Sequence, residues 1–116
     1  MTSGPCPFCA IIAGSAPAGI IRRWRDAIAF RPLNPVVRGH ALVVPLQHVT
    51  DARTSPVHAG ETFRRAAELA EEMTGVDVNL ITSAGPAATQ TVLHLHVHVV
   101  PRTAGDGLAL PWTGQQ

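Results

Sequence analysis

Three histidines, His94, His96 and His98, recur at two-residue spacing inside the apolar stretch "VLHLHVHVVPR", residues 92–102. In an extended strand successive side chains alternate faces, so the three imidazoles share one face while Leu95, Val97 and Val99 share the other. The chain has only six histidines, and half of them in one row is not what an ordinary solvated strand face presents. Two chemistries suit such a row. Neutral imidazole is the commonest ligand for transition metals. An imidazole held in one tautomer is also a nucleophile or general base near neutral pH. The preceding "AGPAATQT" combines Gly, Ala and Thr with Gln90, a composition whose backbone amides can cradle an anion, and Thr91 adds a hydroxyl. An ordinary hairpin turn shares that composition, since neither GxGxxG nor GxxxxGK[ST] occurs. A histidine row beside an anion-cradling loop fits attack on phosphorus.

The elements that must position this row read as an α+β chain. "PFCAIIA", residues 7–13, predicts one or two helical turns ended by Gly14 and the following Pro17. "GIIRRW" and "AIAFRPL" predict two strands around a turn at Arg25 and Asp26, and "HALVVP" a third strand closed by Pro45. A long helix is expected from about Pro56 to Thr74, with Ser55 as N-cap, Pro56 at the first helical position and Gly75 past the end. Phe63, Ala66 or Ala67, Ala70 and Met73 recur at helical spacing as its buried face. "VNLITS" predicts a strand, and "TVLHLHVHVVP" the last and longest one. Strands joined by hairpins and interrupted by one long helix imply an antiparallel sheet of about five strands rather than a doubly wound parallel one.

Length and charge set the outer bounds. At 116 residues the chain is expected to be a single domain, 1–116, with residues 103–116 as an irregular tail. No basic-then-apolar leader and no apolar run near the roughly 18 residues of a bilayer span is present, so the expected compartment is the cytoplasm, with no membrane partner. A formal charge of +1 argues against general nucleic-acid binding. All nine basic residues are arginine, which removes lysine as a nucleophile. His58, in the first turn of the long helix, is read as a solvated helix residue.

Cys6 and Cys9 frame a CxxC. A redox pair lacks the thioredoxin context of a strand before and a long helix after, and a structural disulfide does not suit a cytosolic chain. Two unconnected thiols, or half of a zinc site needing two more ligands, are the other readings.

"QTVLHLHVHVVPR" resembles the signature of the histidine triad (HIT) family, a His-φ-His-φ-His-φ-φ strand preceded by a Gln-Ser/Thr pair. "RPLNPVVRGHALVVPLQH" is similar to that family's upstream segment, and "CPFCAII" to its N-terminal C-x-F-C-x-I. The resemblance covers almost the whole chain. It implies a nucleotidyl hydrolase or transferase acting on a purine nucleotide conjugate of the nucleoside phosphoramidate type. His96 would attack the α-phosphorus to give a covalent nucleotidyl-histidine, and water would release the nucleoside monophosphate. His98 would serve the phosphate and leaving group, and His40 would back the triad. Gln90 and Thr91 match phosphate-contacting positions, while Phe8, Ile11, Phe30 and Leu33 match the apolar positions around the base. Hydrolysis of dinucleoside polyphosphates and a non-catalytic nucleotide-binding or zinc-stabilised interaction module are the alternatives.

The resemblance also completes a closed structural zinc site from Cys6, Cys9, His48 and His94, with no catalytic metal or organic cofactor, and implies a homodimer. Trp112 in "LPWTGQQ" resembles a tail that reaches the active site across that dimer. Three departures bear on substrate. Pro32, eight positions before His40, stands where many members place an acidic residue or asparagine for the ribose hydroxyls, so that role moves to Asn34 or weakens. Ser83 replaces an asparagine, and Thr89 a glycine.

Overall fold

The computed structural model describes residues 5–112. Helix α1 spans Pro7–Ala13, capped by the Cys6 thiol, which accepts the Cys9 amide, and closed by Gly14 in the left-handed region at φ 81°. Strands β1 (Ile20–Arg23) and β2 (Ala27–Phe30) form the expected hairpin, followed by β3 (Ala41–Pro45). Helix α2 spans Pro56–Glu71, with the Ser55 hydroxyl accepting the His58 amide. It ends three residues before the expected Thr74. Its buried residues are Thr62, Ala66 and Leu69, with Phe63 and Met73 packed beside them, while Ala67 is exposed. Thr62 enters the buried face because its hydroxyl is satisfied by the His58 carbonyl at 2.7 Å.

Strand β4 (Asp77–Ile81) is followed by a 3-10 turn at Pro86–Ala88 and by β5 (Val97–Arg102). The last strand is therefore shorter than the expected 91–101. Residues 92–94 bend, and the Leu95 amide donates to the Val49 carbonyl at 2.8 Å instead of joining the ladder. Of the predicted irregular tail, residues 113–116 lie outside the described residues. The described part is tied back: the Arg102 guanidinium donates to both Asp106 carboxylate oxygens, at 2.8 and 2.9 Å, and to the Leu108 carbonyl.

The five strands form one antiparallel sheet in the order β1-β2-β3-β5-β4. Alternation divides its faces. Ala27, Ala29, Ala41, Val43, Val97 and Val99 lie under α2, where small side chains let the helix approach. Ile28, Phe30, Leu42 and Val44 face the other way and receive Phe8 of α1. Phe8 meets Phe30 edge-on at 5.3 Å between ring centroids, and burying each such ring is worth about 2–3 kcal/mol. Phe30 pairs with Leu42, and Leu42 with His98, so the second face carries an apolar half at β2 and a histidine half at β5. Among the described residues no helix is long and apolar enough to cross a membrane.

Candidate functional site

His98 reaches the second face from the start of β5, His96 from the residue before that strand, and His40 from the residue before β3. The tautomers of His40 and His98 follow from one obligate donor. The Val36 backbone N–H donates to His40 Nδ1 at 3.1 Å, so that nitrogen carries no proton and the neutral ring bears its hydrogen on Nε2. His40 Nε2 lies 2.9 Å from His98 Nδ1 and donates to it. The remaining proton of His98 is then on Nε2, available as a donor to a ligand. His96 has the opposite arrangement. Its Nδ1 donates to the His94 carbonyl at 2.7 Å, which leaves the Nε2 lone pair unshared. Thr82 donates to the His96 carbonyl at 2.7 Å and fixes the backbone of that residue. Sequence reasoning marked Ser83 and missed Thr82, whose only signal is its place one residue past the β4 ladder.

Electrostatics keep these rings neutral. Burial lowers the pKa of His40, and lowers that of His96 against the opposing hydrogen bond to the His94 carbonyl. Burial, with the charges of His96 and His40 adding, pushes His98 down to about 4. At neutral pH the site thus holds one unprotonated ring nitrogen on His96 and one N–H donor on His98, with no imidazolium.

The histidines open into a cleft of about 880 Å³. Phe8, Ile11, Phe30, Asn34, Ser83, Thr91, His40, His96 and His98, all expected at the site, line it. Leu33 also borders the cleft but is 96% exposed, so it stands at the open edge and not in a closed apolar slot. Gln90 departs from expectation. It is not among the lining residues; its carboxamide accepts the Gly85 amide and donates to the carbonyls of Thr50 and Val92 at 2.7 and 3.0 Å. Its buried side chain clamps the loop that carries Thr91, so its donors are already committed. Thr89, also on the wall, holds φ 72°, a left-handed conformation that costs a β-branched residue about 1–2 kcal/mol.

A second cluster lies beside the first. The bend at residues 92–94 turns His94, fully buried, toward Cys6, Cys9 and His48, whose ligand atoms all fall within 4.8 Å of one another. His94 Nδ1 is 3.4 Å from Cys6 Sγ, 3.5 Å from Cys9 Sγ and 3.1 Å from His48 Nδ1, and Cys9 Sγ is 3.3 Å from His48 Nδ1. Tetrahedral zinc with its usual bond lengths sets S···N edges of about 3.5 Å and an N···N edge of about 3.3 Å. The donor set fits. His94 Nε2 donates to the Pro45 carbonyl at 3.0 Å, which leaves its Nδ1 lone pair facing the thiols, the orientation a ligating imidazole needs. Burial and the neighbouring Cys6 push the Cys9 thiol up, and a divalent cation offsets this by displacing thiol protons. Zinc there would join α1 to the loops before β5 and after β3, holding the His94 carbonyl that orients His96.

On an α+β scaffold, the antiparallel sheet thus carries a histidine with an unshared ring nitrogen, a hydrogen-bonded histidine pair and an adjacent Cys₂His₂ cluster. The family model of the HIT domain matches residues 13–105, and the chain belongs to that family. It is 40% identical to the uncharacterized HIT-like protein Rv1262c of Mycobacterium tuberculosis, over 91% of this chain and 77% of that protein. It is 30% identical to adenosine 5'-monophosphoramidase HNT1 of Saccharomyces cerevisiae, covering 96% and 72% of the two chains. A zinc-bound histidine triad family protein of Mycobacterium smegmatis superimposes with a TM-score of 0.76 at 36% identity, covering 90% of this chain and 80% of that one.

Proposed function

We propose that the protein is a nucleotide hydrolase or transferase that cleaves nucleoside phosphoramidate-type conjugates at the α-phosphorus through a nucleotidyl-histidine. The observation that carries this reading is the His96 ring: Nδ1 is committed to the His94 carbonyl, and Nε2 is left free at the cleft. Nε2 attacks phosphorus, a P–N bond to His96 forms, and the bond to the leaving group breaks with its electron pair going to the departing nitrogen, which takes a proton from solvent and leaves as an amine. The ring becomes cationic on attack, and the His94 carbonyl dipole against Nδ1–H stabilises that charge. His98 Nε2–H faces the departing group as its hydrogen-bond donor, and His40 holds His98 in that tautomer. Water then forms a P–O bond as the P–N bond to His96 breaks, its proton passes to solvent, His96 returns to its neutral Nδ1–H form, and the nucleoside monophosphate is released. Ser83 and Thr91 supply hydroxyls to the phosphate, and Phe8, Ile11 and Phe30 form the wall for a purine base. The name of the yeast relative, a monophosphoramidase, supports this substrate class.

Cys6, Cys9, His48 and His94 would hold a structural zinc, which takes no part in bond making. A homodimer is part of the same reading: β1 and β4 form the edges of the sheet among the described residues, and Trp112 is exposed. So is a cytoplasmic location, which suits two free cysteines.

The test measures release of adenosine monophosphate from adenosine 5'-phosphoramidate and, in parallel, from a diadenosine polyphosphate, in magnesium-free buffer. Turnover of the phosphoramidate that disappears in His96→Ala, together with an adenylyl adduct on wild-type His96 in rapid-quench mass spectrometry, supports the reading. Turnover of the polyphosphate alone reassigns the substrate. Nucleotide binding without turnover of either makes the protein a binding module.

A further inference from the structure

The cleft carries no carboxylate and one permanent charge, Arg31, among its lining residues. Of the nine arginines, Arg22, Arg53, Arg64, Arg65 and Arg102 form ion pairs. No ion pair is found for Arg23, Arg25, Arg31 or Arg38 among the described residues, and of these four only Arg31 faces the cleft. Its side chain lies along the backbone of Gly19. A Cβ placed on Gly19 would come within 3.2 Å of Arg31 Nη1, 3.6 Å of its Cδ and 3.7 Å of its Cβ, so the glycine leaves the space the arginine fills. An exposed guanidinium with no ion-pair partner among the described residues, laid against a bare backbone at the wall of a cleft, is placed to receive an anion.

Position decides which part of a ligand that anion belongs to. Arg31 follows Phe30 at the end of β2, beside Pro17, Ala18 and Gly19 of the apolar wall. His98 lies two strands away across the Phe30–Leu42–His98 pairing, about 10 Å at the backbone. A phosphorus at His96 therefore has its nucleoside half toward Arg31. From this we infer that Arg31 is a specificity residue for a second anionic group on the nucleoside half of the substrate, a phosphate on the ribose 2' or 3' oxygen. The inference rests on the nucleotide-cleaving reading above. A phosphate farther along a polyphosphate leaving group has the same chemistry, and binding experiments separate the two sources.

Calorimetry would compare adenosine 5'-monophosphate, adenosine 2',5'-bisphosphate, adenosine 3',5'-bisphosphate and adenosine diphosphate on the full chain. The wild type is expected to bind one of the two ribose-phosphorylated bisphosphates about tenfold more tightly than the monophosphate, the effect of one charge-assisted guanidinium–phosphate contact. Arg31→Gln should bring that ratio close to one, and Arg38→Gln, at an arginine outside the cleft, should leave it in place. The preference should also shrink as salt is raised. Equal affinities for the monophosphate and both bisphosphates in the wild type overturn the inference, as does a preference that survives Arg31→Gln. A preference for the diphosphate lost in Arg31→Gln moves the contact to the leaving-group side and overturns the ribose assignment. Failure of the monophosphate itself to bind rejects the nucleotide reading instead.

Discussion

Replacing His40 with alanine isolates the proposed relay, because it removes a ring from behind His98 and leaves both other cleft histidines in place. His40 is 5% exposed and accepts the Val36 amide at one nitrogen while donating to His98 at the other, 2.9 Å away. A neutral hydrogen bond of this kind is worth about 1 kcal/mol net, which biases His98 toward its Nε2–H tautomer by roughly fivefold. Without it His98 populates both tautomers, and the Nδ1–H form has no donor for the leaving group. The expected fall in kcat is about five- to tenfold, well short of the 10²–10⁴-fold, order of magnitude, expected for His98→Ala, which removes the donor itself. KM should move less than kcat, and stability should drop by about 1–3 kcal/mol from the lost buried ring and its bonds. Nitrogen-15 spectra of histidine-labelled protein at neutral pH read the tautomer directly: a single Nε2–H form of His98 in the wild type, a mixture in the variant. A wild-type proton found on Nδ1 of His98 would refute the relay, whatever the kinetics.

Metal analysis of untagged protein should find about one zinc per chain, and less than roughly one-tenth would reject the site. Stripping it, or substituting Cys9→Ser, should lower Tm by about 10 °C or more and kcat by about tenfold, since the His94 carbonyl that orients His96 belongs to a ligand residue; an unchanged Tm after complete zinc loss contradicts the structural role. Acid should destabilise the fold through His98. Its folded pKa lies below the unfolded value of 6.5, at about 4, so the unfolded chain takes up the proton first. The contribution is full above about pH 6.5 and is lost as pH falls toward 4, amounting to no more than roughly 3 kcal/mol. Urea titrations of the wild type and His98→Gln should differ in slope with pH across that window, and parallel curves sink the argument. Thr89→Gly should relieve the left-handed strain and raise stability by about 1 kcal/mol; a loss of stability would mean the threonine hydroxyl outweighs it.

Much of the site is legible in the sequence because its signals are local. Ser55-Pro56 starts α2 and Gly14 ends α1 through backbone preferences that need no distant partner. The two-residue period of His96 and His98 against Val97 and Val99 assigns faces without knowing what covers them. The resemblance in the residues flanking the triad led to Cys6, Cys9 and His48 as companions of His94. Other facts belong to tertiary structure alone. Gln90 reads as a ligand-facing amide until the carbonyls of Thr50 and Val92 claim its protons. The last strand reads as continuous until Val49 takes the Leu95 amide and His94 turns toward Cys6, Cys9 and His48. Thr62 looks polar until the His58 carbonyl satisfies it inside α2's buried face. The proton positions on His40 and His98 trace to a single amide at Val36, and the place of the Arg31 side chain to the bare backbone of Gly19. Propensity and period are properties of neighbouring residues, so a sequence carries them directly. Which donor meets which acceptor, and which charge goes without a partner, is decided only when segments far apart in the chain are packed together and water is excluded between them.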